Sequence, residues 1–421
     1  MVSNVGGHEI IARALERFPN ADIVSVVQAC VYLEEFDLGI RLYNRLPEPT
    51  SDDTRWLGVC HFQRVEDNDA STAFQRAIDS GQQAARVNLA HLLKMSDQSQ
   101  RAELELQQVD FAHLTTYDQV FFLRVKSIHE ETNGNLRDAL RFAEEAWRRL
   151  QGLPEFALLA PSILSQLGIL HGRIGRAERA LWFLERSIQL TSGLAQLKSR
   201  LRWATVLVAQ CRTSEAQSLV RELEGGSFPD AMKAELHWLH AELLWLLKDH
   251  NAAIAQYEFA ISAASRHQVV YEEFLCQIAL ATLVSLKLSN GSKAKKHLKR
   301  AQHLISDEPD QLAFRFREVL VLANSGEYVP EHAIRELEGV SDSFGTMGLL
   351  QEQGFVRFHI LRLKAQGGNR AFVEDLESLR ALAATLKNPH FLEREFHLAP
   401  DLRRLVDLEV KSFKNEANLH T

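Results

Sequence analysis

LGILHGRIGRAERALWFLERS, residues 167–187, places a Leu-Gly pair twelve residues before an alanine. That alanine, Ala180, is followed at plus four by Leu184 and at plus seven by Ser187. A second stretch, WLGVCHFQRVEDNDASTAFQRA at 56–77, carries the same offset. We interpret the two stretches as copies of one structural unit, because self-similarity at a fixed spacing is typical of repeat proteins.

The same offset between two small residues recurs along the chain. Further pairs, each twelve residues apart, are Ala90 and Ala102, Ser127 and Ala139, Ala204 and Ala216, and Ala241 and Ala253, with a looser pair at Ala281 and Ala294. Two antiparallel helices approach closely only where their side chains are short. We therefore predict second-helix anchors at Gly39, Ala70, Ala102, Ala139, Ala180, Ala216, Ala253 and Ala294, spaced 31 to 41 residues apart. Weaker anchor candidates are Ala333 and Ala371.

These residues resemble the tetratricopeptide repeat family, whose repeats carry a Leu-Gly or Leu-Ala pair, a turn glycine, and then alanine, an aromatic residue and alanine. The resemblance covers about residues 20–305, and the repeats are divergent. Because many intervals exceed the family's usual length, the array is similar to the helical-repeat arrays of bacterial signal-responsive regulators. The resemblance implies an all-α, right-handed superhelix (α-solenoid) of eight to ten helical hairpins.

The predicted array has three regions. Residues 1–305 hold the tetratricopeptide-like repeats, and 306–399 hold more divergent hairpins of the same array. Residues 400–421 read as one amphipathic helix and a tail, since apolar side chains recur between charged ones after Pro400. We expect this helix to cap the last apolar face of the array, with a docking helix for a partner as the alternative.

Composition excludes several classes of protein. The formal net charge of −7 leaves no overall cationic field, so general nucleic-acid binding is not expected. Four widely spaced cysteines suit neither a zinc site nor a disulfide framework. The N-terminus lacks the pattern of a secretory leader, and no uncharged apolar run reaches the ~18 residues of a membrane span. We expect a cytoplasmic protein without a membrane anchor.

Motifs that would carry chemistry are missing from the sequence. It contains no phosphate-binding loop, no glycine-rich dinucleotide turn and no G-x-S-x-G nucleophile elbow. His237 and His240 lie one helical turn apart beside Glu235 and Glu242, but two histidines alone rarely complete a metal site. We therefore expect no enzymatic activity, no cofactor and no metal ion.

The family resemblance also implies where a partner binds, because the first helices of such hairpins line a concave groove. Groove residues implied by position are Arg55, His91, Arg124, Gln166, Arg173, Lys198, Arg202, Trp238, Glu242 and Trp245. Several are cationic, which favours an extended or helical ligand with acidic and apolar groups. The alternative for each residue is a solvated arginine, or a tryptophan buried between helices.

The sequence thus predicts a non-enzymatic scaffold or adaptor of regulatory role that holds a protein or peptide partner in its concave groove. The alternative is a sensor, in which a small molecule or signalling peptide fills the groove and changes the pitch of the superhelix. Partner identity and oligomeric state are left open by the sequence, because groove side chains and not the architecture set specificity.

Overall fold

The computed structural model describes residues 5–19, 21–64, 66–96, 98–226, 230–267, 269–305, 308–366 and 372–386. Within these ranges the chain forms 21 α-helices and one short 3₁₀ helix, Phe111–His113, with no β-strand. The all-α prediction is confirmed. The expected capping helix at 400–421 and the anchor candidate Ala371 lie outside the described residues.

The described chain begins with helix α1 at Val5–Arg17. The helices that follow form successive hairpins, each made of a first and a second helix. The first members are α2 (Val26–Tyr32), α4 (Ser51–Gln63), α6 (Gln83–Met95), α8 (Thr116–Thr132), α10 (Phe156–Arg173), α12 (Gly193–Ala209), α14 (Asp230–Leu246), α16 (Val270–Leu288), α18 (Glu308–Asn324) and α20 (Leu350–Gln366). The second members are α3 (Phe36–Tyr43), α5 (Asp67–Asp79), α7 (Ser99–Gln107), α9 (Leu136–Leu150), α11 (Ala177–Gln189), α13 (Thr213–Glu224), α15 (His250–His267), α17 (Gly291–Gln302), α19 (Pro330–Thr346) and α21 (Phe372–Leu386). These ten hairpins agree with the predicted eight to ten.

The anchors lie where the repeat pattern predicts them. Every predicted anchor alanine from Ala70 to Ala294 is at most 1% exposed, and Gly39 is buried on α3. Gly168 of α10 faces Leu184 of α11 so closely that a Cβ on the glycine would lie 2.6 Å from the leucine Cγ. Short side chains at these positions therefore set the distance between paired helices.

Two glycines between paired helices have a backbone conformation that favours glycine. Gly175 lies between α10 and α11 with a φ of +77°, and Gly134 lies between α8 and α9 with a φ of +80°. A side chain at such a φ is strained, whereas glycine adopts it freely. Each residue thus lets its hairpin reverse direction within a few residues.

The chain forms two compact units, each with its own core. The N-terminal unit comprises the residues up to Glu131 together with Arg137–Gln166, and the C-terminal unit comprises Thr132–Leu136 and the chain from Leu167 onward. The predicted change of character at residue 306 stays a prediction. None of the described helices has both the length and the apolar character needed to cross a bilayer.

Candidate binding cavity and groove residues

First helices of the N-terminal unit surround a cavity of about 630 Å³. Its wall is formed by residues of α2, α4, α6 and α8, by residues that lie just before α2, α6 and α8, and by the segment Leu153–Glu155 that precedes α10. A volume in this range is typical of pockets that hold small ligands or side chains, ~300–1,000 Å³. We call it the N-terminal cavity and treat it as the candidate site.

Arg55 connects three helices at the wall of this cavity. Its side chain is 4% exposed, and its Nη2 lies 2.5 Å from Oδ1 of Asp118 on α8. Its Nε donates a hydrogen bond of 3.0 Å to Oδ1 of Asn88 on α6. Burial by itself favours the neutral guanidine, but the carboxylates of Asp118 and Asp52 outweigh it and raise the pKa of Arg55. The predicted groove arginine is therefore held in place by an internal ion pair.

Aromatic rings form a second part of the wall. The ring of Trp56 lies 4.6 Å from the guanidinium carbon of Arg55. Tyr32 and Tyr117 pack against the same tryptophan, with centroid distances of 5.9 Å and 6.2 Å. Burial raises the pKa of both tyrosines, so both phenols stay protonated and can donate hydrogen bonds at neutral pH.

Carboxylates form the third part of the wall. Asp52 accepts hydrogen bonds from Trp56 Nε1 at 3.1 Å and from Gln82 Nε2 at 2.9 Å. Glu155 is only 6% exposed. Burial raises the pKa of Glu155, while backbone N–H groups, including that of Asp22, oppose the rise by hydrogen bonding. The cavity therefore combines a paired arginine, aromatic faces and several carboxylates.

The other groove candidates of the N-terminal unit are engaged with neighbours. His91 packs between Phe62 and Phe121 at centroid distances of 5.2 Å and 5.6 Å. Burial, followed by the charge of Arg124, lowers the pKa of His91 to about 3, so its imidazole is neutral. Arg124 lies 5.8 Å from the Phe121 ring. Gln166, which is 7% exposed, donates a 2.6 Å hydrogen bond to Glu131.

In the C-terminal unit, the predicted cationic stretch also holds carboxylates that the sequence argument missed. Burial and the nearby Arg202 lower the pKa of Lys198, whereas Glu235 of α14 acts in the opposite direction. Burial raises the pKa of Glu352 on α20, and the positive charge of Arg173 on α10 acts to lower it. Opposite charges therefore accompany the predicted groove cations of this unit.

The two tryptophans among the groove candidates of α14 both contact the apolar core. Trp245 is 8% exposed and belongs to the apolar core formed with α15 and α16. Trp238 is half-buried and packs against two adjoining core clusters. Glu242 accepts a 2.5 Å hydrogen bond from the hydroxyl of Tyr257. Trp238, Glu242 and Trp245 recur at helical spacing along α14 beside the core, so replacing both tryptophans would remove core contacts.

The functional groups that sequence reasoning missed are Asp118, Tyr117 and Glu155. Asp118 lies three residues after Thr115, whose hydroxyl donates to it at 2.7 Å. A threonine followed three residues later by an acidic residue is typical of a helix N-terminus. The sequence around Asp118 is explained by this role and does not indicate that Asp118 also pairs with an arginine on α4. No signal in the sequence singles out Glu155.

No family model matches the chain, and no curated protein matches it. Solved structures do resemble it. A Rap protein complexed with competence and sporulation factor has a TM-score of 0.65 at 13% identity, covering 84% of this chain and 99% of that one. The apo form of the quorum sensor NprR from B. thuringiensis has a TM-score of 0.55 at 9% identity, covering 83% and 99%. The apo form of RapI has a TM-score of 0.50 at 10% identity, covering 81% and 99%.

At these identities the likeness concerns the fold. The chain shares the helical-repeat architecture of these solved structures, and the predicted likeness to divergent tetratricopeptide-type arrays is confirmed at that level.

Proposed function

We propose that the chain is a non-enzymatic, helical-repeat regulator that binds a peptide or protein segment against its first helices, with the N-terminal cavity as one binding site. The observation that carries this proposal is the cavity itself, which is lined by the first helices of four successive hairpins. Several of its polar wall groups are held by hydrogen bonds, as at Arg55 and Asp52, so these groups need little ordering when a partner binds.

The solved structures support an interaction role of this kind. The Rap protein with a TM-score of 0.65 was crystallised with competence and sporulation factor, and NprR is described as a quorum sensor. A regulator that responds to a peptide combines the scaffold and sensor hypotheses, because the bound segment is both partner and signal. No constellation of nucleophile and base on the described helices gives an enzyme hypothesis comparable support.

Blocking the cavity tests the proposal. Val24 lines the cavity and is 68% exposed, so Val24→Trp adds bulk at the mouth without entering the core. Peptides selected from a displayed random library against the native protein should bind this variant at least tenfold more weakly. Val329→Trp is the matched control, because Val329 is 61% exposed and also lies just before a helix.

Two results would count against the proposal. Equal peptide affinity of the native protein and both variants would show that the cavity is not the binding site. A library that yields no specific binder would reject peptide binding altogether. If the chain is instead a sensor of a small molecule, that ligand should stabilise its folded state by about 2.7 kcal/mol at a concentration a hundredfold above Kd.

A further inference from the structure

We propose that the N-terminal cavity binds a positively charged side chain, an arginine guanidinium of the bound segment. This inference rests on the proposed function and specifies its ligand. It reverses the expectation from the sequence, which favoured an acidic ligand because several groove candidates are cationic.

The charge balance of the wall is the first argument. Apart from the two protonated tyrosines, its ionisable residues are four carboxylates, Asp22, Asp52, Asp118 and Glu155, one guanidinium, Arg55, and one imidazole, His113. The guanidinium is already paired with Asp118 at 2.5 Å and lies 3.6 Å from Asp52. His113 is exposed, and its Nδ1 bonds to Asp110 at 2.7 Å. The space inside the wall therefore has an excess of negative charge.

Glu155 provides the second and independent argument. It is more than nine-tenths buried, with 6% of its surface exposed, and in the described part of the chain no basic side chain forms an ion pair with it. Backbone N–H groups of Glu155 and Asp22 act to lower its pKa, while Asp22 and Asp118 act on it as like charges that raise it. Burying a carboxylate without a counter-charge is costly, and a ligand cation would remove that cost.

Hydrogen-bonding capacity gives the third argument. Asp22 is an exposed carboxylate at the same wall. Gln83 of α6 also lines the cavity, and its buried Oε1 has no hydrogen-bond partner among the described residues. The wall therefore offers acceptors in excess of donors, which suits a group that only donates. A guanidinium has five N–H donors and no acceptor.

The aromatic faces favour arginine over lysine. Tyr32, Trp56 and Tyr117 lie within 6.3 Å of one another by ring centroid. Tyr32 and Trp56 are almost fully buried, so half-buried Tyr117 is the ring of this group that a ligand can reach. A planar guanidinium stacks on such faces while bonding carboxylates with two parallel hydrogen bonds, whereas an ammonium is a compact and strongly hydrated charge. Arg55 shows this arrangement within the wall, since it lies over Trp56 and pairs with Asp118.

The experiment measures binding of a minimal probe to the full-length chain by isothermal titration calorimetry. N-acetyl-arginine amide is the probe, and N-acetyl-citrulline amide is its uncharged counterpart of nearly the same shape. The native protein should bind the arginine probe saturably at millimolar concentration and at least tenfold more tightly than the citrulline probe. Added salt should weaken the arginine probe alone.

Two variants assign the binding to the cavity. Glu155→Gln keeps the shape of the side chain and should weaken the arginine probe at least tenfold, while Asp22→Asn should weaken it less because Asp22 is exposed. Glu144→Gln, at an exposed position of α9, is the control and should leave binding unchanged. Because Glu155→Gln removes a buried charge, its melting temperature should equal or exceed that of the native protein.

The outcomes separate this inference from the proposed function. Equal binding of the arginine and citrulline probes, no saturable binding of the arginine probe, or an unchanged affinity in both cavity variants would overturn the cationic ligand. Should Glu155→Gln melt at a lower temperature, Asp22→Asn alone decides the matter. If Val24→Trp blocks selected peptides while arginine has no advantage over citrulline, the peptide-binding function stands and the arginine inference fails.

Discussion

Replacing Gly168 by alanine tests the steric basis of the repeat. Alanine is more favourable than glycine in a helix interior by about 1 kcal/mol. The new Cβ, however, would lie 2.6 Å from Cγ and 2.8 Å from Cδ2 of Leu184, and 3.3 Å from the carbonyl oxygen of Ala180. Overpacking of this kind costs about 1–3 kcal/mol. We expect a net loss of stability of up to about 2 kcal/mol.

A matched substitution isolates the contact from helix propensity. Gly339 lies on α19 of the same C-terminal unit, and a Cβ there would meet no atom within 4 Å. Gly339→Ala should therefore stabilise the chain by about 0.5–1 kcal/mol. In a Leu184→Ala background the clash partner is gone, so Gly168→Ala should become neutral or stabilising.

Urea unfolding followed by circular dichroism measures these differences. Both glycines belong to one compact unit, so their substitutions act on the same transition. The double-mutant cycle of Gly168 and Leu184 should give a coupling energy of about 1–3 kcal/mol. If Gly168→Ala were as stable as Gly339→Ala, close approach at the anchor would not be what selects small residues, and the steric explanation of the repeat would fail.

Two further substitutions test the N-terminal unit. Arg55→Met leaves Asp118, whose side chain is 7% exposed, without its counter-charge, and should cost about 3–5 kcal/mol in urea unfolding. The double variant with Asp118→Leu should recover most of that loss, and no recovery would contradict the ion pair. His91 has a pKa of about 3 against an ordinary 6.5, so the unfolded chain binds its proton first and stability falls as pH drops below about 6.5. In His91→Phe, the drop in melting temperature between about pH 7 and about pH 5 should be smaller than in the native protein. An equally large drop in both proteins would contradict the role of His91.

The fold was predictable because its cause is local and repeated. A short side chain is needed wherever two paired helices touch, as at Ala180, so the requirement recurs at nearly constant spacing. The turn glycines follow from the same geometry, since a left-handed residue is needed between helices as at Gly175. Most of the hairpins could thus be anticipated from the spacing of small residues, and the resemblance to tetratricopeptide repeats gave the expected total of eight to ten.

The candidate site could not be predicted in the same way. Arg55 and Asp118 are 63 residues apart in sequence, and their pairing depends on which hairpins bring their first helices together. Glu155 lines the same cavity as residues of α2, α4, α6 and α8, none of which is near it in sequence. The position of Trp245 could not be predicted for a different reason. Residues that face the core and residues that face a groove recur with the same helical period, so the spacing does not tell them apart.

The buried pair of Arg55 and Asp118 has a mechanical consequence. In most repeat arrays each hairpin touches only its immediate neighbours, so an end hairpin can peel away without disturbing those beyond. Here α4 is joined directly to α8, with Asn88 of the intervening α6 bound to the same guanidinium. A pulling force applied to this part of the chain should therefore meet three hairpins that unfold together, because separating any one of them breaks contacts to the shared guanidinium.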